Sequence, residues 1–222
     1  MQFGICAAVE NSEAVKNTGW DFVEENVQGF LQGTLPDHEW TGEKRAASAK
    51  LPILAANGLV PGTMKITGPE VSPEKLQAYM TNVCRRAGKV GLRKLVFGSG
   101  AARQVPEGFD RKRARDQILD FLRMCAPLAQ ESNVMIVVEH LNSNECNIIT
   151  TLAEELEYVK AINHPNIRCL ADSWHFWLEN ESLDTLREAM PLLHHVHVAD
   201  KDGRITSGGM VLSDTPSVIS WR

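Results

Sequence analysis

Several features that would assign a chain elsewhere are missing from this one. No apolar run approaches the roughly 18 residues needed to cross a bilayer. The first residues, Met1-Gln2-Phe3-Gly4-Ile5-Cys6, carry no basic stretch leading into an apolar one, so no signal peptide is visible. The five cysteines (Cys6, Cys84, Cys125, Cys146, Cys169) are scattered and none forms a CxxC pair. Their odd number and wide spacing point to reduced, mostly buried thiols in a cytoplasmic protein. A positive excess is missing too. The formal net charge is −5, which argues against a nucleic-acid or membrane surface as partner. No Gly-rich phosphate loop follows the first candidate strand, where Ala7-Ala8-Val9-Glu10 stands. Gly98-Ser99-Gly100 lacks the third glycine of a dinucleotide site and is expected to be a tight turn between strand and helix. No low-complexity linker divides the chain, so residues 1–222 are expected to form one domain.

What is present is alternation. Apolar residues make up 43% of the 222 and charged residues 23%, ordinary values for a globular chain with a sizeable core. Candidate strands are Phe3–Ala7, Asp21–Glu24, Leu51–Ala55, Lys94–Phe97, Val134–Glu139, Ile167–Asp172 and His195–Ala199. Several are near-continuous apolar runs, the pattern of parallel strands covered on both faces. Amphipathic stretches lie between them. Ser72-Pro73 offers an N-cap and a first-turn proline, Leu76, Tyr79, Met80, Val83 and Ala87 recur at helical spacing, and Gly91 closes the helix. Further helices are expected from near Asp110, over Thr151–Ile162, and near Ser182–Met190. Repeated βα units without a linker predict a single parallel α/β domain.

Three polar residues stand out by position. Glu139, Asp172 and His197 each fall at or near the C-terminal end of a candidate strand, the face on which a TIM barrel collects its catalytic groups. Two carboxylates and one imidazole suit Mn²⁺, Mg²⁺, Co²⁺ or Zn²⁺. A carboxylate that ends a strand can equally cap the next helix, and a lone histidine can be structural. Three at equivalent positions favour a site. Trp174 and Trp177 either shape a pocket wall or pack against the barrel.

The segments Val138-Glu139-His140-Leu141-Asn142-Ser143-Asn144-Glu145, Ala171-Asp172-Ser173-Trp174-His175 and His195-Val196-His197-Val198-Ala199-Asp200 carry a resemblance. In that order, and with Val96-Phe97-Gly98-Ser99-Gly100, they are similar to the signature segments of the xylose-isomerase-like TIM-barrel superfamily. Within it, ketose 3-epimerases and hydroxypyruvate isomerase are the members they resemble. The resemblance spans about Phe3 to Arg204 and implies an α/β fold of the (β/α)8 barrel type. It implies that Glu139 is both metal ligand and acid/base, and that Asp172 and His197 are further ligands of a divalent ion, Mn²⁺ first among them. By the same resemblance Glu145 and His175 touch sugar hydroxyls. Arg204 lies one residue beyond the position of an arginine that follows the seventh strand in that family.

The implied function is a metal-dependent isomerase or epimerase of a sugar or sugar phosphate. It would remove a proton next to a carbonyl through a metal-stabilised enediolate. A lyase or dehydratase acting on keto-inositols or 3-keto sugars shares these motifs. An apurinic endonuclease shares the barrel but needs more metal ligands and a basic face. The family's fourth ligand, a glutamate on the eighth strand, has no counterpart after Glu188. The expectation is therefore a barrel of seven strands, incomplete at the C-terminus, with an exposed edge open to self-association. Weakened catalysis, or a non-catalytic sugar-binding remnant, follows from the same gap.

Overall fold

The computed structural model describes residues 2–200. Among these residues seven strands form one sheet in chain order: β1 (Gly4–Cys6), β2 (Phe22–Asn26), β3 (Ile53–Asn57), β4 (Lys94–Phe97), β5 (Met135–Glu139), β6 (Ile167–Asp172) and β7 (Leu193–His197). Every neighbouring pair is parallel. The helices, in chain order, are α1 (Ser12–Val15), α2 (Val27–Phe30), α3 (Gly42–Ser48), α4 (Pro73–Lys89), α5 (Gly100–Arg103), α6 (Arg111–Glu131), α7 (Leu152–Ile162), α8 (Ser173–Leu178) and α9 (Leu183–Ala189). The sheet curls until a side chain of β7 meets one of β2: His195 Nε2 lies 2.8 Å from Glu24 Oε2. The described residues are thus an incomplete TIM barrel. No helix among them is long and apolar enough to cross a membrane.

Strand alternation sorts the side chains into two environments. Val96, Val137 and Leu170, with Met135, form a small apolar cluster separate from the main core. They share strand faces with Glu139 and Asp172, so this cluster floors the barrel interior below a polar layer. The opposite faces of the strands, with Leu95, Phe97, Ile136, Val138, Ile167 and Cys169, join the main core beneath α4, α6 and α7. Both faces are therefore dry at mid-strand, as the apolar runs predict.

Helix starts follow the expected chemistry. Asp110 Oδ1 accepts the Arg113 amide at 2.7 Å, Thr151 Oγ1 accepts that of Glu154 at 3.1 Å, and Ser182 Oγ accepts that of Asp184 at 3.1 Å. Ser72 differs. It occupies the N-cap position of α4 without a capping bond to the backbone, and its hydroxyl bonds the Glu74 carboxylate instead. Gly91 takes φ +79° just past α4, a left-handed stop that glycine adopts without a Cβ penalty.

Strand limits moved where polar residues sit in buried strands. β3 runs on to Asn57 rather than stopping at Ala55, and β7 begins at Leu193 and ends at His197. The short helices α1, α2, α3, α5 and α8 were outside the expectation, being too brief to show an apolar period. Trp177 is 44% exposed and lines an apolar groove of about 450 Å³ beside Leu183, Met190 and Val196. Val196 points away from the barrel interior, opposite in phase to His195 and His197, so Trp177 walls the outer side of β7.

Candidate metal centre

The polar layer is set by where the strands stop. Glu139, Asp172 and His197 are the last residues of β5, β6 and β7, and all three are buried. His197 Nδ1 lies 2.8 Å from Glu139 Oε1 and 3.8 Å from Asp172 Oδ2. Glu139, Asp172 and His175 each offer a ligand atom within 4.8 Å of the others. Oxygen and nitrogen ligands about 2.1 Å from a hard divalent ion sit about 3 Å apart. The His197–Glu139 separation is already near that value, and the His197–Asp172 separation is less than 1 Å beyond it. Two carboxylates and an imidazole also match such an ion chemically. The residues present fit a divalent metal.

The two oxygens of Asp172 are divided. Oδ1 caps α8, accepting the amides of Trp174 at 2.8 Å and His175 at 3.1 Å. Oδ2 turns inward, toward His197 Nδ1 and, at 3.9 Å, His175 Nε2. The helix-capping reading and the site reading of this aspartate thus apply to different atoms. Glu139 is shaped from below. A Cβ on Gly98 would collide with Glu139 Oε2, so glycine leaves room for the carboxylate to lie across the β4 turn.

His175 is wholly buried, and its Nδ1 accepts the Asn142 amide at 3.0 Å. A backbone N–H can only donate, so Nδ1 holds its lone pair and the neutral ring carries hydrogen on Nε2. That nitrogen, the one aimed at Asp172, is a donor in this tautomer. Asn142 also donates from Nδ2 to Glu145 Oε1 at 3.1 Å, tying exposed Glu145 to the rim of the same layer. Trp174 stacks edge-on against His175, centroids 5.1 Å apart. Of the expected site residues, Glu139, Asp172, His175 and His197 come together and Glu145 lies at the rim. Arg204 lies outside the described residues.

The xylose isomerase-like TIM barrel family matches residues 12–217. The chain belongs to this family. Its relatives include a D-psicose 3-epimerase of Agrobacterium fabrum (strain C58), 31% identical over 85 residues, which are 38% of this chain and 29% of that enzyme. A D-psicose 3-epimerase of Enterocloster bolteae is 25% identical over 143 residues, 62% of this chain and 48% of that one. The 3-dehydro-D-guloside 4-epimerase of Escherichia coli K12 is 29% identical over 87 residues, 39% and 33%. The matched stretches span less than half of each of these relatives. Among solved structures, D-psicose 3-epimerase with D-fructose superposes at TM-score 0.79 and 19% identity, covering 96% of this chain and 78% of that one. The E. coli 3-keto-D-glucoside 4-epimerase superposes at 0.75 and 20%, covering 93% and 78%. Likeness at these identities speaks for the family's fold.

Four residues beside the centre, Glu24, His195, Asn57 and Cys6, escaped the sequence reading. Glu24, mid-strand in β2, accepts from two imidazoles: His195 Nε2 lies 2.8 Å from its Oε2 and His197 Nε2 3.0 Å from its Oε1. Asn57 Nδ2 donates to the same Oε1 at 3.3 Å and to Cys6 Sγ at 3.4 Å. Burial would raise the Glu24 pKa, but the positive charge on His197 and the hydrogen bonds from both imidazoles outweigh it and hold the carboxyl well below its ordinary range. Burial pushes His195 down to about 4 against the pull of Glu24, so this ring is neutral and donates its Nε2–H. His197 goes the other way. Burial opposes its charge, yet Glu24 and Glu139 flank it and raise its pKa well above the usual value. Burial, then the charges of Glu24 and Glu139, keep Cys6 a neutral thiol. Glu24 holds Nε2–H of His197 and thereby turns Nδ1 toward Glu139 and Asp172, the role an outer carboxylate plays for a metal-binding histidine. The signal available in sequence was the His195-Val196-His197 spacing, which puts both rings on one strand face.

Proposed function

We propose that this chain is a sugar isomerase or epimerase that moves a proton at a carbon next to a carbonyl, with a divalent ion held by Glu139, Asp172 and His197. The observation that carries the reading is the convergence of Glu139 Oε1 and Asp172 Oδ2 on His197 Nδ1, at 2.8 and 3.8 Å, at the strand ends. Relatives named as epimerases supply the reaction class. The substrate class is a ketose or ketose phosphate, met in the cytoplasm without nucleic acid or membrane. Mn²⁺ is the first candidate for the ion by the family resemblance, and the same ligand set also suits Mg²⁺, Co²⁺ or Zn²⁺.

When bound, the ion acts as a Lewis acid and draws negative charge onto the substrate oxygens. Glu139 would help hold the ion and would move the proton of the carbon next to the carbonyl. Returning a proton to the opposite face of the same carbon gives epimerisation, and to the neighbouring carbon gives isomerisation. Asp172 would help hold the ion, while its Oδ1 caps α8 and so keeps His175 in place. His175 offers Nε2–H to a substrate oxygen, Glu145 accepts from a hydroxyl at the rim, and Arg204 donates to a substrate oxygen. Buried Glu24, locked to two imidazoles, orients His197 and takes no proton from the substrate.

Incubating the protein with Mn²⁺ and a panel of ketoses in D₂O, with proton NMR of the carbons flanking the carbonyl, tests the reading. Deuterium should enter one such position in the wild type and not in Glu139→Gln. Exchange that persists in Glu139→Gln, or none with any ketose in the wild type, would contradict it.

A further inference from the structure

Arg103, the last residue of α5, is wholly buried. Its hydrogen bonds run to carbonyl oxygens: Nη1 donates to Phe97 O at 3.0 Å, and Nη2 donates to Glu139 O at 2.9 Å and to Ile149 O at 3.2 Å. The guanidinium also stands 5.4 Å from the centre of the Phe97 ring. Phe97 and Glu139 are the terminal residues of β4 and β5, and the ladder between those strands ends at Phe97 opposite Val138. One planar fork therefore joins the two strands just where their own hydrogen bonding stops. Five donors in fixed geometry make arginine suited to that task, and lysine is not its equivalent.

What the fork holds is the seat of one carboxylate. The Glu139 carbonyl is the root of that side chain. The Phe97 carbonyl immediately precedes Gly98, across whose backbone Glu139 Oε2 lies so closely that no Cβ could intervene. The third carbonyl belongs to Ile149, a β-branched residue at φ +54°. Such a residue rarely occupies the left-handed region and persists there only when its surroundings hold it. The Ile149 carbonyl also accepts the Leu141 amide at 3.1 Å, so Arg103 and the chain leaving β5 share it. Root, floor and outgoing loop of Glu139 all meet one side chain that reaches neither Asp172 nor His197 through any of these bonds.

We infer that Arg103 is a positioning residue for Glu139, fixing the ends of β4 and β5 so that the carboxylate meets Asp172 and His197. The inference rests on the proposed role of Glu139 as metal ligand and base. Arg86 supplies an internal control. It too is wholly buried and clamps carbonyls, those of Leu31, Gln32 and Leu35, but none of them belongs to the metal centre.

The test is Mn²⁺ affinity by titration calorimetry, beside urea unfolding, for wild type, Arg103→Lys, Arg103→Met, Arg86→Lys and Glu139→Gln. Both lysine variants should unfold at lower urea. Arg103→Lys should weaken Mn²⁺ binding by about tenfold, Arg103→Met by more, and Arg86→Lys should bind like the wild type. Equal Mn²⁺ losses in Arg103→Lys and Arg86→Lys would overturn the inference, as would wild-type affinity in Arg103→Met. So would failure of both Arg103 variants to fold while Arg86→Lys folds, because Arg103 would then serve folding rather than aim. A wild type that binds no Mn²⁺, or a Glu139→Gln that binds it normally, would instead remove the metal reading and this inference with it.

Discussion

Glu139 and His140 are neighbours in the chain, and each enters a buried cluster of histidine and carboxylates, on opposite sides of the sheet. On the outer side His140 Nδ1 meets Glu155 Oε2 at 3.1 Å, and Nε2 lies 3.8 Å from Glu181 Oε1. The acids there are occupied by backbone. Glu155 accepts the amides of His140 at 2.8 Å and Leu170 at 3.0 Å, and Glu181 accepts those of Leu152 at 2.8 Å and Ala153 at 3.2 Å. On the inner side the bonds run between side chains: Glu24 to His195 and His197, and Glu139 to His197. The same residue types thus do different work. Where main-chain amides fill the carboxylates, the cluster is a bolt between β5, β6 and α7. Where carboxylates and imidazoles face one another, a cation can enter between them.

The largest effect that could break this contrast is on stability. Glu155→Gln should lower the unfolding free energy by about 3–5 kcal/mol, because one half of a buried pair remains. Urea unfolding reads that loss, and Mn²⁺ titration of the folded protein should show near wild-type affinity. A comparable loss of affinity would mean that the outer cluster belongs to the site. Next comes Glu24→Gln, which should weaken Mn²⁺ binding by about 10- to 100-fold by releasing the outer hydrogen bond of His197. Unchanged affinity would make Glu24 a structural acid like Glu155. The smallest effect is expected of Thr151→Ala, which removes the cap of α7 and should cost about 1 kcal/mol. Thermal unfolding measures it, and Mn²⁺ affinity should stay as it was.

How much of this was legible beforehand depends on what a residue's role rests on. β5 is readable because Val134-Met135-Ile136-Val137-Val138 is apolar on both faces, as a strand inside an α/β layer must be. Glu139 and Asp172 are readable because each ends such a run. β7 is less so: His194, His195 and His197 interrupt the apolar pattern, and the strand starts two residues earlier than expected, at Leu193. Glu24 was not readable as part of the centre. Its partners His195 and His197 lie 171 and 173 residues away, and only the curl of the sheet brings β2 to face β7. Arg103 was hidden for the same reason, since its bonds go to carbonyls, which carry no sequence signature. The resemblance of the motifs to the family foretold the barrel, and the family match to residues 12–217 bears that out.

The proposed centre depends on Glu139, Asp172 and His197 holding one divalent ion together. The most direct measurement is Mn²⁺ titration of the purified 222-residue protein beside Asp172→Asn, whose amide oxygen can still cap α8. The wild type should bind a single Mn²⁺ and Asp172→Asn should lose it, with the unfolding midpoint little changed. Equal binding by the two proteins, or none by either, would contradict that centre.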